Sequence, residues 1–119
     1  MTDLINISPE IISKKIQDTE STVELFIPDD LDYFKGHFPQ NPILPGVVQL
    51  DWAVMYAKHM FNIDCDVKDL EVLKFQVVIE PGQNLTLQLT QKSEQKVTFS
   101  YSSNKGKHAS GRIVFDTLS

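Results

Sequence analysis

The hydrophobic and polar positions of this chain follow three different patterns along its length. Residues 10–17 and 21–28 read as two strands around a polar turn, and in the second of them apolar residues alternate with polar ones. Between residues 46 and 61 the apolar side chains leave no continuous polar face, which predicts a helix buried on all sides. The rest of the chain predicts only strands, separated by short turns. These four strands are expected at 69–80, 84–92, 95–103 and 107–116.

The order of these elements, two strands, one helix and four strands, predicts an α+β fold. A helix that is apolar on every side needs cover all round, and an antiparallel sheet curled around it supplies that cover. About six strands would therefore wrap around one long buried helix. The sequence contains no internal repeat, low-complexity run or linker, so residues 1–119 are expected to form a single domain.

The charge balance and the cysteine count limit the class of partner and the compartment. The 119 residues include 16 acidic and 11 basic side chains, and the net charge of -5 argues against nucleic acid as the main partner. Cys65 is the only cysteine, so no internal disulfide can form, and a reducing compartment is expected. The sequence has no signal-peptide pattern and no run of membrane-spanning length. The cytoplasm is therefore the expected location.

A histidine, a helix start and an acid lie close together near the middle of the sequence. His37 lies in a loop that three prolines stiffen, and Pro45-Gly46 then opens the predicted helix. The first N–H groups of a helix have no internal acceptor, and a glycine at position 46 lets a ligand carbonyl approach them closely. A base, polarising N–H donors and an acid are the groups that proton transfer next to a carbonyl requires. An enzyme is therefore the leading interpretation.

Asp51 is the acid, and it lies within the apolar helix, where we expect it to be buried. An ionised carboxylate in such surroundings loses solvation energy unless it is paired or stays protonated. A water-mediated pair with Lys58 is the structural alternative, and it would be the preferred explanation for Asp51 alone. The presence of His37 shifts the balance towards a catalytic role.

The other histidines are weaker candidates. His59 is expected at the solvent-exposed end of the helix, and His108, in a strand between polar residues, is expected on the surface. A metal site built from His37, Asp51 and His59 lacks the close paired spacing of zinc ligands. The sequence also has no glycine-rich phosphate loop. Neither a metal nor an organic cofactor is therefore predicted.

Two runs of residues resemble a known family, the 3-hydroxyacyl-[acyl-carrier-protein] dehydratases of the FabA/FabZ type, which have the hotdog fold. The first run is GHFPQNPILPGVVQLD, with an acid fourteen residues after the histidine, and the second is LKFQVVIEPGQNLTL. With the strand order, the resemblance covers roughly residues 9–116. The segment LPGVVQLDW is most similar to the dehydratases of aryl-polyene biosynthetic clusters.

The resemblance implies roles for individual residues and for partners. His37 would be the catalytic histidine, Asp51 the catalytic acid, and Gly46 the residue whose N–H holds the thioester carbonyl. The implied reaction is dehydration of a 3-hydroxyacyl thioester, carried by an acyl carrier protein, to the trans-2-enoyl thioester. The histidine and the acid of one site would come from two subunits. The expected assembly is therefore a homodimer or a multiple of dimers, with a related hotdog subunit as an alternative partner.

The sequence departs from the family pattern in three places. Asp51 stands where the FabZ branch has glutamate, although the FabA branch has aspartate. Gln40 replaces the glycine that usually follows His-Phe-Pro. Gln76 and Val77 stand where FabZ-type proteins often carry basic residues near the carrier-protein docking surface, which puts the usual docking contacts in doubt.

The mechanism predicted from this resemblance adds a second donor and a substrate tunnel. Val47 N–H would assist Gly46 in binding the carbonyl. The tunnel would be lined by residues that could equally form plain core, namely Phe38, Trp52, Met55 and Phe75. Two alternatives remain open at this point: a hotdog acyl thioesterase, and an inactive subunit that only binds the acyl carrier protein.

Overall fold

The computed structural model describes residues 8–31 and 43–117. The described residues form six strands and one helix in the predicted order. The elements are β1 (Glu10–Ile16), β2 (Glu20–Phe26), α1 (Gly46–Phe61), β3 (Val67–Phe75), β4 (Asn84–Gln91), β5 (Lys96–Ser103) and β6 (Gly106–Phe115).

All the described strands belong to one antiparallel sheet with the order β1-β2-β4-β5-β6-β3. In β2, β4 and β5, side chains alternate between buried and partly exposed positions, because successive residues of a strand point to opposite faces. The buried face packs against α1 and forms the core with it. The sheet and the helix therefore have the predicted α+β architecture.

The helix is buried on one side only, which corrects the expectation that it is covered all round. Trp52, Ala53 and Ala57 lie in the core. The opposite side carries Val47, which is 65% exposed, and Met55, which is 44% exposed. These two residues are eight positions apart and therefore lie on the same side of a helix with 3.6 residues per turn. The described residues of one chain leave this apolar stripe uncovered.

The ends of α1 have clear local causes. Pro45 is the N-cap residue in an extended conformation and carries no side-chain cap. Asn62 at the other end adopts the left-handed conformation with φ 55°, and its N–H bonds to the carbonyl of Lys58. Asparagine tolerates this conformation better than most residues, so it is well suited to end a helix.

The strand β3 forms one edge of the sheet and ends sooner than predicted. It pairs with β6 as far as Phe75, whereas the sequence predicted a strand from 69 to 80. Past that point, the carbonyl of Ile79 accepts a hydrogen bond from Leu44 N–H at 2.8 Å. Gln76 N–H still donates to the carbonyl of His108 in β6, but the chain then bends at Val77, and Ile79 pairs with the segment that leads into α1 instead.

A bulge interrupts β3. The register with β6 shifts between Glu71 and Lys74, and Val72 has a φ of 47°. A positive φ is unfavourable for a β-branched residue, so the backbone is strained at this position. Val72 and Leu73 are exposed at the bulge.

Within the described ranges, no helix has both the length and the apolar character that a membrane crossing requires.

Candidate active site

The first turn of α1 presents free hydrogen-bond donors. The N–H groups of Val48 and Gln49 donate to the carbonyl of Pro45 at 3.1 and 3.2 Å. Gly46 N–H and Val47 N–H have no acceptor among the described residues. The positive end of the helix dipole lies at the same place. A carbonyl oxygen or an anion placed there would therefore receive both hydrogen bonds and a favourable potential.

A cavity of about 350 Å³ opens beside this helix start. It is lined by the segments 43–46 and 75–78, by Gln49 and by His108. The volume is in the range of small-molecule sites, and most of the lining side chains are apolar. The cavity therefore combines an apolar wall with the free donors of α1.

Phe75 narrows the cavity at Gly46. A Cβ atom added to Gly46 would lie 3.0 Å from Cε1 and 3.1 Å from Cζ of the Phe75 ring. Such contacts are tighter than normal van der Waals packing, so the glycine leaves room that a larger residue would fill. Because Phe75 is 50% exposed, its ring has space to move.

Gln49 is a buried polar residue of this cavity that sequence reasoning missed. It is 4% exposed, and its Nε2 donates to the carbonyl of Leu44 at 3.1 Å. Its Oε1 is buried and has no hydrogen-bond partner among the described residues. The only sequence signal was a single amide on the inner side of an apolar helix.

Tyr101 fixes the backbone of α1 at the same residue. Its hydroxyl donates to the main-chain carbonyl of Gln49 at 2.7 Å. Burial raises the pKa of Tyr101 well above its ordinary value of 10.0, and the neighbouring Tyr56 raises it further. The phenol therefore stays protonated and keeps its role as a donor at neutral pH.

His108 is buried at the back of the cavity, so its predicted surface position was wrong. It is 1% exposed, its Nδ1 lies 3.0 Å from the carbonyl oxygen of Val77, and its Nε2 lies 2.6 Å from Ser103 Oγ. A carbonyl can only accept, so Nδ1 carries the proton, and the Nε2 of a neutral ring accepts from the serine hydroxyl. This histidine holds the segment after β3 against β6. His59, in contrast, is exposed at the end of α1, as expected.

Asp51 is exposed in the single chain, which corrects the expectation of a buried acid. It lies on the uncovered stripe of α1, between Val47 and Met55. It is five positions after Gly46, so it lies about 7.5 Å further along the helix axis and faces another direction. Asp51 does not line the cavity at Gly46 in the same chain. Among the described residues it forms no ion pair with Lys58.

The remaining predicted site residues lie in different places. His37 and Phe38 lie outside the described residues, as does Gln40. Trp52 is 4% exposed and belongs to the core, whereas Met55 lies on the exposed stripe. Phe75 lines the cavity. Across residues 8–31 and 43–117, no three His, Cys, Asp or Glu side chains come together as a metal site would require.

A larger opening of about 480 Å³ lies at the other end of α1. Its lining includes the carboxylates of Asp64, Glu94 and Asp116, but it has no histidine and no helix N-terminus. Of these two, the cavity at Gly46 is smaller, but it lies beside helix N–H groups that can bind a carbonyl oxygen.

The antiparallel sheet with one central helix is the hotdog fold. One solved structure with this architecture is the dehydratase heterocomplex ApeI:P from Xenorhabdus doucetiae, with a TM-score of 0.85 and 30% sequence identity. The match covers 92% of this chain and 99% of that chain. The fold and the helix start therefore place the protein among hotdog proteins similar to dehydratases.

The family follows from the sequence comparison. The ApeI-like family, described as ApeI dehydratase, matches residues 13–112. The chain belongs to this family of hotdog dehydratases.

Two curated relatives lie further away. The uncharacterized thioester dehydrase BH1850 of Halalkalibacterium halodurans is 27% identical over 110 residues, which span 79% of this chain and 69% of that protein. The 3-hydroxyacyl-[acyl-carrier-protein] dehydratase FabZ of Ehrlichia chaffeensis is 29% identical over 87 residues, which span 69% of this chain. The chain thus spans 59% of the length of that FabZ protein.

Proposed function

We propose that this protein dehydrates 3-hydroxyacyl thioesters, carried by an acyl carrier protein, to trans-2-enoyl thioesters. The observation that carries the proposal is the pair of free N–H groups at Gly46 and Val47, beside an apolar cavity, in a chain of a dehydratase family. Aryl-polyene precursors are the proposed substrates, because the family and the Xenorhabdus neighbour both carry the ApeI name.

The reaction begins at the thioester carbonyl. Gly46 N–H, assisted by Val47 N–H, binds the carbonyl oxygen and stabilises the negative charge that develops when C2 loses its proton. A preorganised donor of this type contributes about 3–4 kcal/mol to the transition state. His37 takes the C2 proton. Its place six residues before the described segment 43–46 is compatible with this role.

The second half of the reaction removes the hydroxyl group. Asp51 donates a proton to the C3 hydroxyl, directly or through a held water, and the C3–O bond breaks as the C2–C3 double bond forms. Water leaves, and transfer of the C2 proton from His37 back to Asp51 resets both groups. A positioned general acid or base contributes about 10²–10⁴-fold in rate.

Because Asp51 does not line the cavity of its own chain, we propose that it serves the cavity of a second hotdog subunit. Two features support this: the uncovered apolar stripe of α1, and the exposed apolar residues around the end of β3. Contiguous apolar surface of this kind marks interaction sites. The structural neighbour from Xenorhabdus is a heterocomplex, so the second subunit is either another copy of this chain or a related hotdog protein.

The test is a mixing experiment with two inactive variants. We expect His37→Ala and Asp51→Asn each to lose enoyl-thioester formation, followed by its ultraviolet absorbance. In a homodimer with shared sites, random exchange of the two variants restores about a quarter of the wild-type activity, because half of the dimers regain one of their two sites. His59→Ala and Asp64→Asn, at the other end of α1, are the matched controls and should remain active.

Three outcomes contradict parts of the proposal. Full activity of either single variant would show that the replaced residue does not have the catalytic role assigned to it. Thiol release without enoyl product would make the protein a thioesterase, and carrier-protein binding without turnover would make it an inactive subunit. Lack of rescue on mixing, with both variants dimeric, would place the two groups in one chain.

A further inference from the structure

We propose that Gln49 is the substrate-binding residue that recognises the 3-hydroxyl group of the acyl chain, through its side-chain oxygen. The inference rests on the proposed function, because it concerns the same cavity and the same substrate. It assigns to Gln49 the task of distinguishing the hydroxyacyl substrate from chains that lack the hydroxyl.

The orientation of the Gln49 amide follows from its one hydrogen bond. The group 3.1 Å from the carbonyl of Leu44 must be the NH₂ end, because a carbonyl can only accept. The other end, Oε1, is therefore an acceptor. It is buried without a partner among the described residues. A buried acceptor in this state is unfavourable, so its retention at this position calls for a partner.

Several polar groups of the cavity lining already have partners. Both ring nitrogens of His108 are occupied, one by the carbonyl of Val77 and the other by Ser103 Oγ. The carbonyl of Leu44 already accepts from Gln49 Nε2. Gln49 Oε1 is the one buried side-chain oxygen of this lining that lacks a donor within the described residues.

The position of Gln49 suits a group two carbons away from the thioester carbonyl. Side chains on a helix tilt towards its N-terminus, and the bond to the carbonyl of Leu44 holds the Gln49 amide beside the residues that precede Gly46. The site therefore offers donors at Gly46 and Val47 and an acceptor at Gln49. A 3-hydroxyacyl thioester offers the complementary pair, a carbonyl acceptor and a hydroxyl donor.

Because the product lacks the hydroxyl group, this acceptor distinguishes the substrate from the product. Dehydration removes the hydroxyl group, so the enoyl product has no donor for Oε1. The product leaves the amide oxygen unpaired again, and sites that lose a buried hydrogen bond discriminate strongly against the ligand that lacks it. Gln49 thus favours binding of the substrate over retention of the product.

The experiment compares binding of two pantetheine thioesters of equal chain length, one with the 3-hydroxyl group and one saturated. Binding is measured by calorimetry in the His37→Ala background, which prevents turnover. With Gln49 present, we expect the hydroxyacyl ligand to bind roughly tenfold or more tightly than the saturated one. In Gln49→Met the ratio should fall to about one, with affinity for the saturated ligand retained. Gln76→Met, at an exposed glutamine of the same cavity, is the matched control and should keep the wild-type ratio.

A ligand-side measurement keeps the test valid if Gln49→Met folds poorly. A 3-methoxyacyl thioester can accept but cannot donate a hydrogen bond, so it should bind no better than the saturated ligand to the protein with Gln49. Equal weakening of both thioesters in Gln49→Met, or strong binding of the methoxy ligand, would overturn the assignment. Because these are binding measurements, hydroxyl selectivity without any enoyl formation by the wild-type protein would refute the proposed function and leave the role of Gln49 standing.

Discussion

Replacing Gly46 with alanine should lower the activity of the site while leaving its fold unchanged. The backbone at Gly46 does not have the positive φ found at Gly82 and Gly106, so alanine can adopt the same conformation. The three atoms nearest to the new methyl group would all belong to the ring of Phe75, at 3.0 to 3.5 Å. The substitution therefore tests the space in front of the helix N–H groups rather than the helix itself.

The expected change in the free energy of unfolding is small. The half-exposed Phe75 ring can shift by the few tenths of an ångström that the methyl group needs. Alanine is favoured over glycine within a helix by up to about 1 kcal/mol, and less at the first position. The two effects oppose each other, so the net change should stay within about 1 kcal/mol.

The expected change in activity is large. The methyl group occupies the space between Gly46 and Phe75, where the proposed thioester carbonyl must approach the N–H groups. Losing the benefit of one such donor costs about 10²–10³-fold in kcat. We therefore expect a variant with near wild-type stability and at least a tenfold loss of kcat.

Two measurements on the wild-type protein and the Gly46→Ala variant test this prediction. Urea unfolding gives the stability, and the absorbance of the enoyl thioester gives the rate. The double variant Gly46→Ala/Phe75→Leu relieves the contact with the ring, so it indicates whether that contact or the lost approach to the N–H groups limits the rate. A Gly46→Ala protein with wild-type kcat and unchanged stability would refute the proposed role of this helix start.

Three further predictions concern stability. Gly111→Ala should cost about 1–3 kcal/mol in urea unfolding, because the new Cβ would lie 2.8 Å from the buried Phe99 ring; an unchanged midpoint would contradict the packing described. Tyr101→Phe should cost about 1 kcal/mol at pH 7 through the lost bond to the Gln49 carbonyl. Since the folded-state pKa of Tyr101 is raised, its stabilising effect is full below pH 10 and is lost as the pH rises above that value. The free energy of unfolding should therefore fall less steeply with alkaline pH in the Phe variant than in the wild type, and parallel curves for the two proteins would refute this. Val72→Asn should raise the thermal midpoint by relieving up to about 1–2 kcal/mol of left-handed strain, and a lowered midpoint would contradict that strain.

The sequence was sufficient for the order and type of the elements, because the period of apolar residues differs clearly between strands and helix. It failed at the end of β3, where the apolar residues 77–79 resemble a strand but lie past the last pairing with β6. It also failed for His108, because a register shift next to Tyr101 places His108 and Ala109 both in the interior. Simple alternation cannot foresee such a shift.

The candidate site was predicted only in part. A proline-glycine helix start is a local feature, so the free donors at Gly46 could be anticipated. The exposure of Asp51 could not be anticipated, since a helix that is apolar nearly all round does not indicate which of its sides packs against the sheet. Gln49 was missed because a glutamine in a helix usually lies in solvent, whereas here it lies on the side of α1 that packs against the sheet.

The bulge at Val72 also limits how copies of this protein can polymerise. An uninterrupted edge strand is a template on which further chains can add without end, which leads to fibres. Here the register shift between Glu71 and Lys74 divides the edge of β3 into two short pieces. A strand from a neighbouring molecule cannot keep a single register along both pieces, so continuous sheet growth is disfavoured at this edge.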